Sequence, residues 1–185
     1  MSKFLRKLNK QGVWKKDILS QDPENILETL PADVFSKCMN TEGNTLSIWE
    51  VEGEKWSDFE DIVAAIVCGS DGPSTTDFVI LDENCLSKFT LDDENGTIDA
   101  AGELNEKHAN IIQLTHSKVG SLAQYIGLIL AQDNVYDTQK KNRPSDWKFK
   151  RFKESELIAI MKRAIEKGLI NQDLLKDRWK KRIQQ

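Results

Sequence analysis

The sequence predicts a helix-rich α+β or α/β fold: a small sheet built around one βαβ unit, a long central helix and a C-terminal helical pair. Three observations carry that expectation. Residues 45–52 alternate apolar and polar positions, an apolar run follows at helical spacing from Phe59 to Val67, and 78–81 is a short continuous apolar stretch. Between about 105 and 132, apolar residues recur every three or four positions. Two further periodic stretches, 155–167 and 172–184, are separated by Gly168 and Asn171.

Taken in order, residues 1–16 hold six bases and no acid, and read as a short amphipathic helix with Phe4, Leu5 and Leu8 on one side and Gly12 as its stop. Asp22, Pro23 and Glu24 resemble a helix opening, with Ile26, Leu27 and Leu30 after them and Pro31 to end it. Another helical turn or two is expected over 33–39. The strand over 45–52 is closed by Gly53. Ser57 with Glu60 three residues on has the spacing of a reciprocal cap, and Phe59, Ile62, Val63, Ile66 and Val67 then follow as one helical face. A loop rich in Gly, Ser, Thr and Pro spans 69–76 and leads into the strand over 78–81. Strand, helix and strand over 45–82 predict two neighbouring parallel strands joined by a right-handed crossover.

Residues 92–96 carry a turn signal, followed by a weak strand or loop to Gly102. The central helix is expected from Asn105 to Gln132, with His108, Ile112, Thr115, Val119, Leu122, Ile126 and Ile129 along its stripe; a dimer seam is the other use of such a stripe. The segment 133–143 reads as a polar loop. No repeat or linker divides the chain, so a single domain over 1–185 is expected.

A chain of 185 residues with 39% apolar residues buries one ordinary core without disulfides or a metal. No run approaches a membrane span, and the N-terminus lacks the apolar region of a secretory signal. Cys38, Cys68 and Cys85 form no CxxC pair and read as reduced core thiols of a cytoplasmic protein.

The net charge of -4 conceals a strong segregation: +6 over 1–16, -18 over 17–110 and +8 over 111–185. An even mixture would leave each block close to neutral. Such a layout serves either internal pairing of basic ends around an acidic middle, or docking of an exposed acidic face on a basic partner.

With parallel strands, Glu50 and Glu52 would share a sheet edge with Asp82 and Glu83, and that edge is the candidate partner-binding site. The same carboxylates could hold Mg2+ for a phosphodiesterase or nuclease, although the acid-x-lysine spacing of restriction-type nucleases is missing. His108 and His116, eight residues apart, form no metal motif, and no serine or cysteine lies in a nucleophile motif. The loop 69–76 has the composition of a phosphate cradle but leads from helix to strand, the wrong order for one. The stretch 139–153 interleaves bases with aromatics. Trp147, Phe149, Lys148, Lys150 and Arg151 could therefore bind nucleic acid by counterion release and stacking, or form an edge strand with aromatics inward.

The favoured function is a non-enzymatic cytoplasmic protein-binding module, monomer or homodimer, needing no cofactor or metal and no membrane. Its acidic middle docks on a basic protein, immunity- or antitoxin-like by charge analogy. The alternatives are the Mg2+-dependent enzyme and a nucleic-acid-binding accessory protein.

Overall fold

The first strand, β1 (Lys3–Leu8), lies in the middle of a six-stranded sheet in the computed structural model, which describes residues 2–8, 14, 30–39, 43–132 and 147–185. The other strands are β2 (Leu46–Val51), β3 (Thr76–Asp82), β4 (Thr90–Asp92), β5 (His108–Ile112) and β6 (Phe149–Phe152). Their order is β4-β5-β2-β1-β3-β6, and every neighbouring pair is antiparallel. The helices are α1 (Glu60–Cys68), α2 (Glu83–Leu86), α3 (His116–Gln132), α4 (Glu154–Glu166) and α5 (Asp177–Ile183). A π-type turn at Val34–Cys38 and 3-10 segments at Asp99–Lys107 and Gln172–Leu174 complete the described elements.

The expected sheet is therefore corrected. The fold is α+β with an antiparallel sheet, because β1 inserts between β2 and β3, pairing Lys3 with both Val51 and Asp82. β2 and β3 run the same way, as α1 requires of a crossover, yet they are not hydrogen-bonded neighbours. The expected N-terminal helix is this inserted strand. Apolar residues at 4, 5 and 8 suit a helical face, but they suit equally a strand buried on both faces, where alternation disappears.

Each face of the sheet carries its own core. Phe4, Leu8, Ile48, Val79, Leu81, Ile111 and Phe149 pack with Leu122, Ala123, Ile126, Ile129 and Leu130 of α3. On the other face Leu5, Trp49, Val51, Phe78, Ile80 and Phe152 meet Ile62, Val63 and Ile66 of α1, Leu157, Ile160, Met161 and Ala164 of α4, and Trp179 of α5. Strand residues that alternate along β1 thus go to two different helical layers.

The expected helix from 105 divides into β5 and α3. Ala109, Asn110 and Ile111 are buried in a row, so β5 is again a strand covered on both sides, and its apolar residues run on into the stripe of α3. Ser57 caps no helix: α1 starts after Phe59, and a preceding turn is fixed by Asp58, whose Oδ2 accepts from the Glu54 and Lys55 amides at 3.0 and 2.9 Å. α4 ends near Gly168 at φ 73°, and Asn171 caps the short 3-10 turn by accepting from Asp173 N at 3.0 Å; α5 starts only after Lys176. The expected helix opening at 22–24 and the polar loop at 133–143 lie outside the described residues.

The loop 69–75 is closed by α5. Trp179 Nε1 donates to Ser70 Oγ at 3.3 Å, Lys176 pairs with Asp71, and the Arg178 stem lies where a Cβ on Gly72 would sit, 2.6 Å from it. Loop and helix are thereby one structural unit.

Candidate functional site

The segregated charges come together in pairs across the fold. Lys148–Asp82, Arg151–Asp77, Arg163–Glu60, Lys167–Asp61 and Lys176–Asp71 each join a base of the C-terminal block to an acid of the middle block. Three of these acids follow from topology. β6 pairs with β3, which sets Arg151 opposite Asp77 with two hydrogen bonds of 2.7 Å, and α4 packs along α1, which sets Arg163 and Lys167 beside Glu60 and Asp61.

The four carboxylates expected at one sheet edge are divided by β1. Asp82 is fully engaged: Oδ1 caps α2 by accepting from Cys85 N at 2.9 Å, and Oδ2 accepts from Lys148 Nζ at 2.6 Å. Burial pushes its carboxyl up, but Lys148, the Cys85 amide and Tyr125 outweigh that and hold it below its ordinary value. Glu83, in the first turn of α2, is exposed. Glu50 and Glu52 lie two strands away, about 10 Å at ordinary strand spacing, and with Glu54 they line an open concavity of about 640 Å3 around Lys3. Lys3 Nζ itself donates to Gly53 O at 3.0 Å. Among the described residues no three His, Cys, Asp or Glu side chains come together as a metal would require.

More exposed acid lies in the segment that leads into β5, the strand paired with β2. Residues 92–106 hold six acids and no base, and Asp92, Asp93, Asp99, Glu103 and Glu106 are exposed. Lys107 joins the two groups: it pairs with Glu52 at 2.8 Å and feels Glu50 and Glu106 as well, which together raise its pKa while lowering that of Glu52. Sequence reading missed this segment. Its signal was the acid run itself, read only as a turn.

Of the basic aromatic stretch the structure describes residues 147–153, and most of their side chains are engaged within the fold. Phe149 and Phe152 are buried on opposite faces of the sheet, where their rings are closed to a stacked base. Lys148 and Arg151 are in ion pairs, Lys150 Nζ lies 4.2 Å from the Phe152 ring centroid, and the Trp147 carbonyl accepts from Trp56 Nε1 at 2.8 Å.

A second concave feature, about 380 Å3, opens between β1, β2 and the loop 94–98. β1 pairs with β2 only from Lys3 to Leu5; beyond that point Arg6 fills the fork, donating from Nη1 to Ser47 O at 2.7 Å and from Nη2 to Cys38 O at 3.0 Å. Lys7 lines the cavity with Ser47, Trp49, His108 and Asn110 from the sheet and Glu94 from the loop. The loop is firmly placed. Asn105 exchanges hydrogen bonds with Ile98 N and O at 3.2 and 3.0 Å, His108 Nδ1 meets Glu94 O at 2.7 Å, and Asn110 donates to Glu94 Oε2 at 3.2 Å. A Cβ at Gly96 would sit 2.5 Å from Asn105 Oδ1, so the close approach requires glycine.

All three cysteines are unpaired and buried, and burial pushes the Cys68 and Cys85 thiols up to about 12, which makes them poor nucleophiles. Among the described residues, no helix is long and apolar enough to cross a membrane. Comparison of the chain with protein-family models, with curated proteins and with solved structures found no match.

Proposed function

We propose that the protein is a non-enzymatic binding module whose acidic side, formed by Glu50 and Glu52 at the end of β2 and by the 92–106 segment, docks on a basic macromolecular partner. The observation that supports this reading is the division of charge. Five bases of the C-terminal block are spent on acids of the middle block, while the acids of 92–106 face solvent and make no ion pair among the described residues. A fold that needed its acid only for internal balance would pair the remainder too. Exposed like charge raises self-repulsion and is retained at a cost unless a partner neutralises it. Complementary charge of this kind speeds encounter and selects the partner. Asp82 takes no part, since both its oxygens are occupied within the chain.

The test is capture from the native host by the immobilised chain, followed by mass spectrometry, with D92K/D93K/E103K as the paired bait. The wild-type chain should retain a basic protein that is released as salt screens the contact at an ionic strength of about 0.5 M, and the charge-reversed bait should not retain it. The same protein on both baits, or one indifferent to salt, contradicts the reading.

A further inference from the structure

We propose that the cavity between β1, β2 and the 94–98 loop binds a small organic carboxylate, with the anionic end on Lys7. The cavity shares the 94–98 loop with the docking side, but its other walls, Arg6, Lys7, Ser47 and Trp49, belong to β1 and β2, and its test reads small-molecule binding without any macromolecular partner.

Four features assign it. The volume, about 380 Å3, falls in the range of small-molecule sites, and the lining mixes apolar surface from Trp49, Ile66 and Ile98 with convergent polar groups. Lys7 Nζ makes no hydrogen bond or ion pair among the described residues, although burial, and then the neighbouring Arg6 guanidinium, draw its pKa below the ordinary value. A half-buried ammonium without a counter-charge is costly, and an anion in the cavity removes that cost. Arg6, which is 8% exposed and also lines the cavity, keeps one buried donor, Nε, without a partner. Finally, the walls are prepared in advance: the Asn105 clamp fixes the loop, and Glu94 is already held by Asn110.

Charge selects the class of ligand. The titratable groups facing the cavity are Arg6, Lys7, Glu94 and His108. Arg6, Lys7 and Glu94 together leave a single positive charge, which suits a monoanion and falls short of a phosphate dianion. Ser47 and the polar edge formed by Asn110 and His108 can receive a hydroxyl or amino group elsewhere on the same molecule, while Trp49 offers its ring to an apolar body.

The experiment is a titration of the 15N-labelled chain with sodium benzoate and sodium 4-hydroxybenzoate, and with inorganic phosphate at matched ionic strength. At least one carboxylate should give saturable shifts at the Lys7, Ser47 and Asn110 amides, with a Kd of about 10 mM or tighter, and phosphate should shift them less. Lys7→Met should weaken that carboxylate by about tenfold or more while keeping the native spectrum, since methionine preserves the stem and drops the unpaired charge. Glu94→Gln, on the exposed loop, should tighten it by removing the repulsive charge, and it serves as the second variant if Lys7→Met unfolds. No saturable shift with either carboxylate, or binding that neither substitution alters, overturns the proposal.

Discussion

The two edges of the sheet are built from opposite charges and have opposite fates. At the β6 edge the bases lie against acids of β3 and α2's cap, and the aromatics between them enter the two cores. At the β4–β5 edge the acids stay exposed: Glu94 accepts from Asn110, and among the described residues none of Asp92, Asp93, Asp99, Glu103 and Glu106 has a cation beside it other than the Lys107 shared with Glu52. The described part of a stretch that looks like a ligand surface in sequence, 147–153, is thus largely engaged within the fold, and a stretch that looks like a turn stays exposed. Charge composition locates a block; only the strand order decides which block is spent.

The comparison can be broken most forcefully at Phe152. Its ring is 1% exposed and packs edge-on against Phe78 and Trp56, at centroid distances of 5.7 and 6.0 Å. Phe152→Ala should cost about 3–5 kcal/mol in urea unfolding; a loss below about 0.5 kcal/mol, the range of surface substitutions, would put the ring on the surface.

Next is Asp77, 12% exposed and bonded by both Nε and Nη2 of Arg151. Asp77→Ala should cost about 1–2 kcal/mol, a charge-assisted pair discounted for the part-exposed arginine.

The pH dependence is a smaller effect. Asp82 has its pKa lowered in the folded chain, so its contribution is present above the ordinary carboxylate value, about 3.9, and is lost as pH falls through the depressed value. Lys148 titrates at the other end. Burial alone would lower its pKa, but the Asp82 and Tyr125 contacts win and raise it, so this share persists to high pH and goes only as pH rises through the raised value. In Asp82→Asn the acid limb of stability against pH should flatten by the share of this one group.

The smallest effect on stability is expected where the effect on binding is largest. D92K/D93K/E103K changes exposed residues that make no ion pair among the described residues, and its unfolding free energy should stay within about 0.5 kcal/mol per site of the parent, while capture of the partner is lost.

Much of the architecture was legible where an element shows a clear period or an unbroken apolar run bounded by turn residues. β2, α1 and α4 show their period in the sequence, β3 shows as a continuous apolar run after a loop of Gly, Ser, Thr and Pro, and all four lie within a few residues of the expected bounds. β1 and β5 were not legible: covered on both faces they lack alternation, and unlike β3 their apolar residues are interrupted, so that Phe4, Leu5 and Leu8 or Ala109 and Ile111 fit a helical stripe. That one error changed the sheet: without β1 the strands β2 and β3 become neighbours, and their terminal carboxylates become a cluster. The cavity was illegible for the same reason, since Lys7 gains its environment only as a residue of a central strand opposite Phe78.

The most direct measurement of the central claim is the affinity of the captured partner for two variants with equal and opposite changes of charge. One is D92K/D93K/E103K on the acidic side; the other is K150E/K153E/K181E, on bases that form no ion pair among the described residues. The account predicts a loss of about tenfold or more for the first, above about 1.4 kcal/mol, and little change or a gain for the second. Equal losses in both, or a loss confined to the second, would contradict it.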